Sequence, residues 1–335
     1  MRPTVGVVLC AWRGTAHLAE QLDSIGAQTW PVSVTVHDDA SGDGTAALAR
    51  AHPAVERVVE HAGNVGHVGN FERGLADALA RGHDHVAFAD QDDVWAPDRV
   101  ERGMERLLAR EAELGADRPL LVHSDLRTID AAGAPLAPSY LARRGYRTDG
   151  RRDLARTLGE CGVMGNTALA NAALGRLALP FAPGVHVHDW WLAALAELFG
   201  ERLFVDAPLV AYRIHATNAS NSTGAGAEHG LRAALGRLPR TLRARDLRLP
   251  FLEDGRLGAV RALLEDRSER YPPIDPADRA LLERFRRWLE LDGPRAALFA
   301  DALRAGLLRP GLAHRARVGA ATLLTRRYDG RRRSA

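Results

Sequence analysis

The stretch Val86-Ala87-Phe88-Ala89-Asp90-Gln91-Asp92-Asp93-Val94-Trp95 decides how this chain is read. Four apolar residues in a row suit a short strand buried on both faces. The strand runs directly into three carboxylates, and Pro97 is well placed to start the next helix. The same transition occurs upstream. Val5 to Cys10 is almost wholly apolar, and Leu18, Leu22 and Ile25 then recur at helical spacing. Val32, Val34 and Val36 alternate with polar residues and end at Asp38-Asp39. Ser41-Gly42-Asp43-Gly44 supplies turn chemistry and helix caps. Val55 to Glu60 reads as a third strand, Asn64-Val65-Gly66 as a turn, and Phe71, Leu75 and Leu79 as one face of a helix. Leu120 to His123 is a further strand, ending at Ser124-Asp125. This strand–helix rhythm predicts an α/β fold, an open and mostly parallel sheet with helices on both faces.

The rhythm weakens after about residue 130. Residues 131–152 read as a long excursion, Val163 to Leu169 as a strand, and Trp190 to Phe199 as a helix. Leu203 to Val205 and Leu209 to Ile214 read as strands. Residues 218–230, rich in Ser, Asn, Gly and Ala, read as a linker. Two regions are therefore expected: 1–225 carrying the chemistry, and a helical, Arg-rich extension over 226–335.

At 335 residues, 46% hydrophobic and 26% charged, the chain can bury a large core. All 45 basic residues are Arg, which together with the many alanines reflects a coding bias. The formal net charge of +3 argues against a general nucleic-acid binder. Two cysteines, Cys10 and Cys161, suggest no disulfide framework, so a reducing, cytoplasmic compartment is expected. Met1-Arg2-Pro3-Thr4 leads straight into a strand, with no signal peptide pattern. No apolar run reaches the ~18 residues of a spanning helix. Any membrane contact is then peripheral, at the inner face of the plasma membrane, through a basic C-terminal surface that includes Arg286-Arg287 and Arg331-Arg332-Arg333. A solvated helical add-on accounts for the same residues equally well, and 331–335 read as a disordered tail.

Ligands of open α/β sheets sit at the carboxyl ends of the strands. Acids ending several parallel strands converge there and repel one another unless a cation compensates. Carboxylate and diphosphate oxygens suit Mg²⁺ or Mn²⁺. Asp90-Gln91-Asp92 fits an ion bridging two phosphates; a charged loop capping the helix at Pro97 is the plainer alternative. Asp38 and Asp39 can accept bonds from a base or ribose, and equally from their own turn. Asp189 opens a helix before Trp190 and Trp191. The helix dipole lowers its pKa while the indoles raise it, so it fits either a general base or an N-cap. The two indoles offer sugar-stacking surfaces, although one of them is expected in the core. His186 and His188 lack partners at zinc spacing.

Taken together, these elements resemble the family-2 glycosyltransferases, especially the rhamnosyltransferase-like branch. The resemblance rests on Val5–Ala11, Gln21-Leu22-Asp23-Ser24-Ile25, Asp38-Asp39-Ala40-Ser41-Gly42-Asp43-Gly44-Thr45, Asn64-Val65-Gly66 and Gly69-Asn70-Phe71-Glu72. It continues through Asp90-Gln91-Asp92-Asp93-Val94-Trp95, His123-Ser124-Asp125-Leu126, His188-Asp189-Trp190-Trp191 and Tyr212-Arg213-Ile214-His215. It implies a GT-A-like, nucleotide-diphospho-sugar transferase fold and inverting transfer from a UDP- or dTDP-linked sugar to a glycan or lipid-linked hydroxyl. On that reading Ala11, Arg13, Asp38, Asp39, Asn70 and Asp90 face the donor. Asp92 and His215 hold the metal, Asp189 is the base, and Asp125, Trp190 and Trp191 lie toward the acceptor. Trp12-Arg13 replaces the usual first-loop pair, and Cys161–Asn166 follows the family's acceptor-side strand only loosely. The Gln-x-x-Arg-Trp element of processive members is absent, which implies single-residue transfer. Two other classes stay open: a sugar-nucleotide-forming nucleotidyltransferase, and a non-catalytic nucleotide-sugar binding module.

Overall fold

β1 (Val5–Ala11) is buried along its whole length. Its side chains alternate between two apolar layers: Val8 and Cys10 enter one, and Val7, Leu9 and Ala11 enter the other. A strand covered on both faces needs helices above and below, and the chain supplies them in turn. After β1 come α1 (Leu18–Gly26), β2 (Val32–Asp38), α2 (Thr45–Ala51), β3 (Val55–Glu60), α3 (Gly66–Ala80), β4 (His85–Asp90), β5 (Val94–Trp95) and α4 (Arg99–Leu114). Then follow β6 (Leu120–Ile129), β7 (Pro135–Ala137), α5 (Tyr140–Arg144), α6 (Leu154–Glu160), β8 (Leu169–Asn171), α7 (Ala172–Ala178), α8 (His188–Phe199) and β9 (Glu201–Arg213). The last helices are α9 (Arg256–Leu264), α10 (Pro276–Glu290) and α11 (Arg295–Arg304). This computed structural model describes residues 2–146, 150–185, 187–215, 255–266, 270–308, 315, 318, 319, 322 and 323.

The strands form one sheet in the order β3-β2-β1-β4-β8-β6-β9-β5, with β7 beside β6. β1 pairs in parallel with β2 and β4, and β2 in parallel with β3. β8 is antiparallel to both β4 and β6, so β6 runs in the direction of β4. β9 is parallel to β6 and antiparallel to β5. The sheet is therefore mixed but mostly parallel, and the carboxyl ends of β1, β2 and β4 share one edge. α3 lies so close to β1 that a Cβ on Gly74 would meet Val8 at 2.2 Å. Only glycine allows that approach.

Three expectations need correction. Ser124-Asp125 does not end a strand; β6 continues to Ile129, with a register shift against β9 at Ser124/Asp125. Val163 to Leu169 is not a strand. Buried Arg99 draws in the carbonyls of Asn166 (2.8 Å) and Ala168 (3.3 Å), which folds this segment into a 3-10 turn over Gly165–Thr167 before β8. The two late strands are one, β9. The C-terminal helices contribute Leu263, Phe285 and Trp288 to the same apolar cluster as Leu158, Trp190 and Trp191. The linker expected at 218–230 and the tail at 331–335 lie outside the described residues, as does the 225/226 boundary.

Candidate active site

The strand register assembles the site's first edge. Ala11 pairs with Asp38 across β1 and β2, and Cys10 pairs with Asp90 across β1 and β4. Asp90 is held on the strand end, with Asp92 two residues on. Asp189 arrives from the first turn of α8, far along the chain. These three carboxylates sense one another. Burial, then the charges of Asp92 and Asp189, push the Asp90 carboxyl up to about 7. Such a cluster is repulsive and calls for a positive charge.

Asp92 leans on the end of β9. Its Oδ2 lies 2.7 Å from His215 Nε2, and its carbonyl accepts from Arg213 Nε at 2.9 Å. Arg213 is almost fully buried and also pairs with Glu20 at 2.7 Å. It fixes the backbone on which His215 rides. His17 stacks obliquely on His215, with ring centroids 5.4 Å apart. Burial, then the nearby Arg213 and His215, lower the His17 pKa. Asp93 points the other way. It accepts from Asn166 Nδ2 and from the Arg213 backbone N–H, is fully buried, and is raised well above the carboxylate range by that burial. Its work is to tie β4, the 3-10 turn and β9 together.

The candidate base is held on two sides. Asp189 Oδ1 accepts from the Trp190 N–H at 2.5 Å, and Oδ2 accepts from the Gly165 N–H at 3.2 Å. α8 begins at His188 with Val187 at its N-cap position, so Asp189 lies inside the first turn and is not the cap. Gly165 has no room for a side chain: a Cβ there would sit 2.4 Å from His188 Nε2. His188 is itself buried and stacked on Phe71, with centroids 3.9 Å apart.

Other predicted residues take structural parts. Asp39 is buried, and its two oxygens accept from Val65 N (2.7 Å) and Gly66 N (2.9 Å), anchoring the start of α3. Asp38 accepts from the Ser41 N–H at 3.0 Å and from its hydroxyl, as an Asx-turn does. Asn70 is buried, its Nδ2 donates to His37 O at 3.0 Å, and its Oδ1 lies 2.9 Å from His61 Nε2. Ala11 offers its backbone only, and its carbonyl accepts from Asp39 N at 2.8 Å. Arg13 adopts φ 52°, donates its N–H to Ser41 Oγ at 2.9 Å, and lays its guanidinium over Trp12.

The acceptor-side trio does not face a cleft. Asp125 accepts from Leu126 N (2.7 Å), Leu141 N (3.1 Å) and the Ser139 hydroxyl, so it docks α5 onto β6. Trp190 and Trp191 are 2% and 0% exposed, and their indole N–H groups donate to Leu158 O and Ala178 O. The apolar core, not a sugar, covers both rings.

Two residues escaped the sequence reading. Gln91 exchanges a pair of bonds with the Trp12 backbone, Oε1 with N at 2.7 Å and Nε2 with O at 3.0 Å. It clamps the β1 loop to the acidic loop, 79 positions away. Arg99 is buried against the Trp95 ring at 3.5 Å and supports the same loop from below. Its only sequence signal is a basic residue at a position that the helical pattern turns inward.

The mixed, mostly parallel sheet with an acidic carboxyl edge and flanking helices is a GT-A-like fold. A solved structure of residues 1–349 of TarS from S. aureus with UDP-GlcNAc superposes with TM-score 0.52 at 13% identity, covering 96% of this chain and 90% of that one. A second TarS structure gives 0.50 at 14% identity, over 96% and 91%. These likenesses concern fold. Residues 7–121 match the model of glycosyl transferase family 2. A dTDP-rhamnosyl transferase, RfbG, of Shigella flexneri is 27% identical over 110 residues, 31% of this chain and 38% of the relative. The succinoglycan biosynthesis protein ExoO of Rhizobium meliloti (strain 1021) is 33% identical over 129 residues, 38% of this chain and 36% of the relative. The chain thus spans little more than a third of the length of these two relatives.

The fold class implies a divalent cation, and the residues present suit one. Asp92 and His215 already touch, and the charges of Asp92 and Asp189 both raise the Asp90 pKa beside them. Among the described residues no three His, Cys, Asp or Glu side chains converge to hold an ion alone. Mg²⁺ and Mn²⁺ sites at nucleotides commonly take one or two protein ligands and complete their shell with phosphate and water.

Proposed function

We propose that this chain transfers a sugar from a UDP- or dTDP-linked donor to a hydroxyl of a glycan or lipid-linked acceptor, inverting the anomeric centre and adding one residue at a time. The observation that carries this reading is that the charges of Asp92 at the sheet edge and Asp189 from a distant helix both act on Asp90. Neither a nucleotidyltransferase nor a simple binding module needs a third carboxylate there. The nucleoside lies along the Ala11–Asp38 edge, held by backbone groups and by the first loop that Gln91 clamps. A Mg²⁺ or Mn²⁺ ion held by Asp92 and His215 would neutralise the leaving diphosphate.

Asp189 then takes the proton of the acceptor hydroxyl, and the oxygen attacks the anomeric carbon from the side opposite the diphosphate. Its two backbone hydrogen bonds fix the carboxylate's direction. The basic C-terminal region suits a peripheral position at the inner face of the plasma membrane, where lipid-linked acceptors reside. No helix among the described residues is long and apolar enough to cross a membrane.

The test is Asp189→Asn. Asn keeps the shape and one of the two backbone contacts, since its amide nitrogen cannot accept from an N–H, and it cannot take the proton. Transfer should fall by roughly 10³-fold or more, near the upper range of general-base contributions, while nucleotide affinity stays within about twofold. Near-normal turnover in this variant would rule out the base assignment.

A further inference from the structure

A small pocket lies between α6 and the start of β9, and the charge of the candidate base is felt at Cys161 in its wall. Its wall includes Tyr146, Arg156, Glu160, Cys161, Gly162 and Arg202. Arg156 is its odd member. Its Nε and Nη2 are buried and have no hydrogen-bond partner. Buried guanidinium donors are nearly always satisfied, so an orphaned pair needs a reason. Arg202, in the same wall, does not share this problem: it donates to Glu197 at 2.8 Å. Glu160 follows Arg156 by four residues on α6, so both project from one helix face. A cationic donor and a carboxylate acceptor are therefore presented side by side, with a tyrosine ring at the rim.

That combination selects its ligand by chemistry. A hydroxyl both gives and takes a hydrogen bond, and two adjacent hydroxyls match one donor and one carboxylate. A phosphate would meet repulsion from Glu160 and from Asp153, which also lines the pocket. An apolar group would leave Arg156 unsatisfied. The cavity measures about 20 Å³. One water needs about 10–15 Å³ on this measure, so the space admits an oxygen or two and not a whole ring. It is suited to the edge of a sugar.

Its position links it to the reaction. Cys161, in the wall, is close enough to Asp189 for that charge to raise its thiol pKa. The chain passes from Gly162, in the wall, to Gly165, which bonds Asp189, in three residues. Three residues span at most about 11 Å. Gly162, in the wall, therefore lies within about 11 Å of the residue that bonds Asp189.

We propose that this pocket is an acceptor subsite that reads two vicinal hydroxyls of a glycan, with Arg156 as donor and Glu160 as acceptor. The proposal rests on the transferase reading above and adds to it the chemical class of the acceptor. Arg156 acts as a binding residue whose donors wait for the ligand, which gives it an unusual stability signature. Replacing it by Met removes orphaned polar atoms, so Arg156→Met should melt no lower than the wild type.

The experiment is saturation-transfer NMR with the methyl glycosides of glucose, galactose and rhamnose, in UDP or dTDP plus Mn²⁺, alongside thermal melts. The full chain is compared with Arg156→Met and Glu160→Gln. The wild type should bind at least one glycoside, and each variant should lose on the order of tenfold in affinity. Both variants should keep the melting shift given by nucleotide and Mn²⁺. Arg156→Lys should recover part of the glycoside binding. Glycoside binding undiminished in both variants, or an Arg156→Met melt well below wild type with Glu160→Gln binding normally, would make Arg156 structural and overturn the proposal. If nucleotide stabilises the wild type but no glycoside binds, the subsite fails and the transferase reading stands. If neither UDP nor dTDP stabilises the wild type, the transferase reading fails and takes the subsite with it.

Discussion

Asp189 is oriented by its neighbours as much as by its own helix. The Gly165 N–H at 3.2 Å sets one oxygen, and His188 Nε2 fills the space where a Gly165 side chain would stand. Gly165→Ala must therefore push the 3-10 turn away from α8 and swing the base. A misplacement near 1 Å costs about 10²-fold in rate, so kcat should drop by that order while nucleotide Kd holds. An unchanged kcat would mean that Gly165 does not position the base. Asp189 could be picked out from sequence because a lone acid before two tryptophans at a helix start is unusual. The tryptophans themselves misled, since an apolar ring reads the same whether core or ligand covers it; only the Trp190 and Trp191 burial decides. Gln91 and Gly165 were invisible because their roles depend on contacts 79 and 24 positions away.

Elements β2 and α3 meet over His37. Its ring is 1% exposed, and neither nitrogen has a hydrogen-bond partner. Burial is the main cause that lowers its pKa from 6.5 to about 4, while Asp77 at 3.8 Å pulls weakly the other way. The unfolded chain thus binds the proton more readily than the folded one. The stabilisation is complete above about pH 6.5 and is lost as pH falls towards 4. A difference of about 2.5 pK units corresponds to roughly 3 kcal/mol. Urea titrations of His37→Leu should show a shallower loss of stability over that window than the wild type; parallel curves would contradict the assignment. At this scale the sequence was most informative in the first half, where period and turn chemistry agree. It misjudged β6 because Asp125 looks like a strand end, yet its carboxylate is consumed by Ser139 and Leu141. It misjudged 163–169 because the chain there follows Arg99, not its own apolar pattern.

The whole molecule joins its catalytic layer to the C-terminal helices through shared packing. Trp288 is 1% exposed within the cluster that holds Trp190 and Trp191, and its indole donates to Thr322 at 3.2 Å. Trp288→Ala should cost about 3–5 kcal/mol and shift a single cooperative unfolding transition. Two separate transitions, with the first alone moved, would show that the regions unfold independently.

The central claim is that the sheet-edge acids and β9 build one site for a cation and a diphosphate. Isothermal titration of UDP and dTDP, with Mn²⁺ and then with a chelator, tests it on the wild type, Asp92→Asn and Asp189→Asn. The account predicts binding that needs Mn²⁺, falls at least tenfold on the order expected for a lost ligand in Asp92→Asn, and survives in Asp189→Asn. Equal nucleotide affinity with and without Mn²⁺, unchanged in Asp92→Asn, would contradict it.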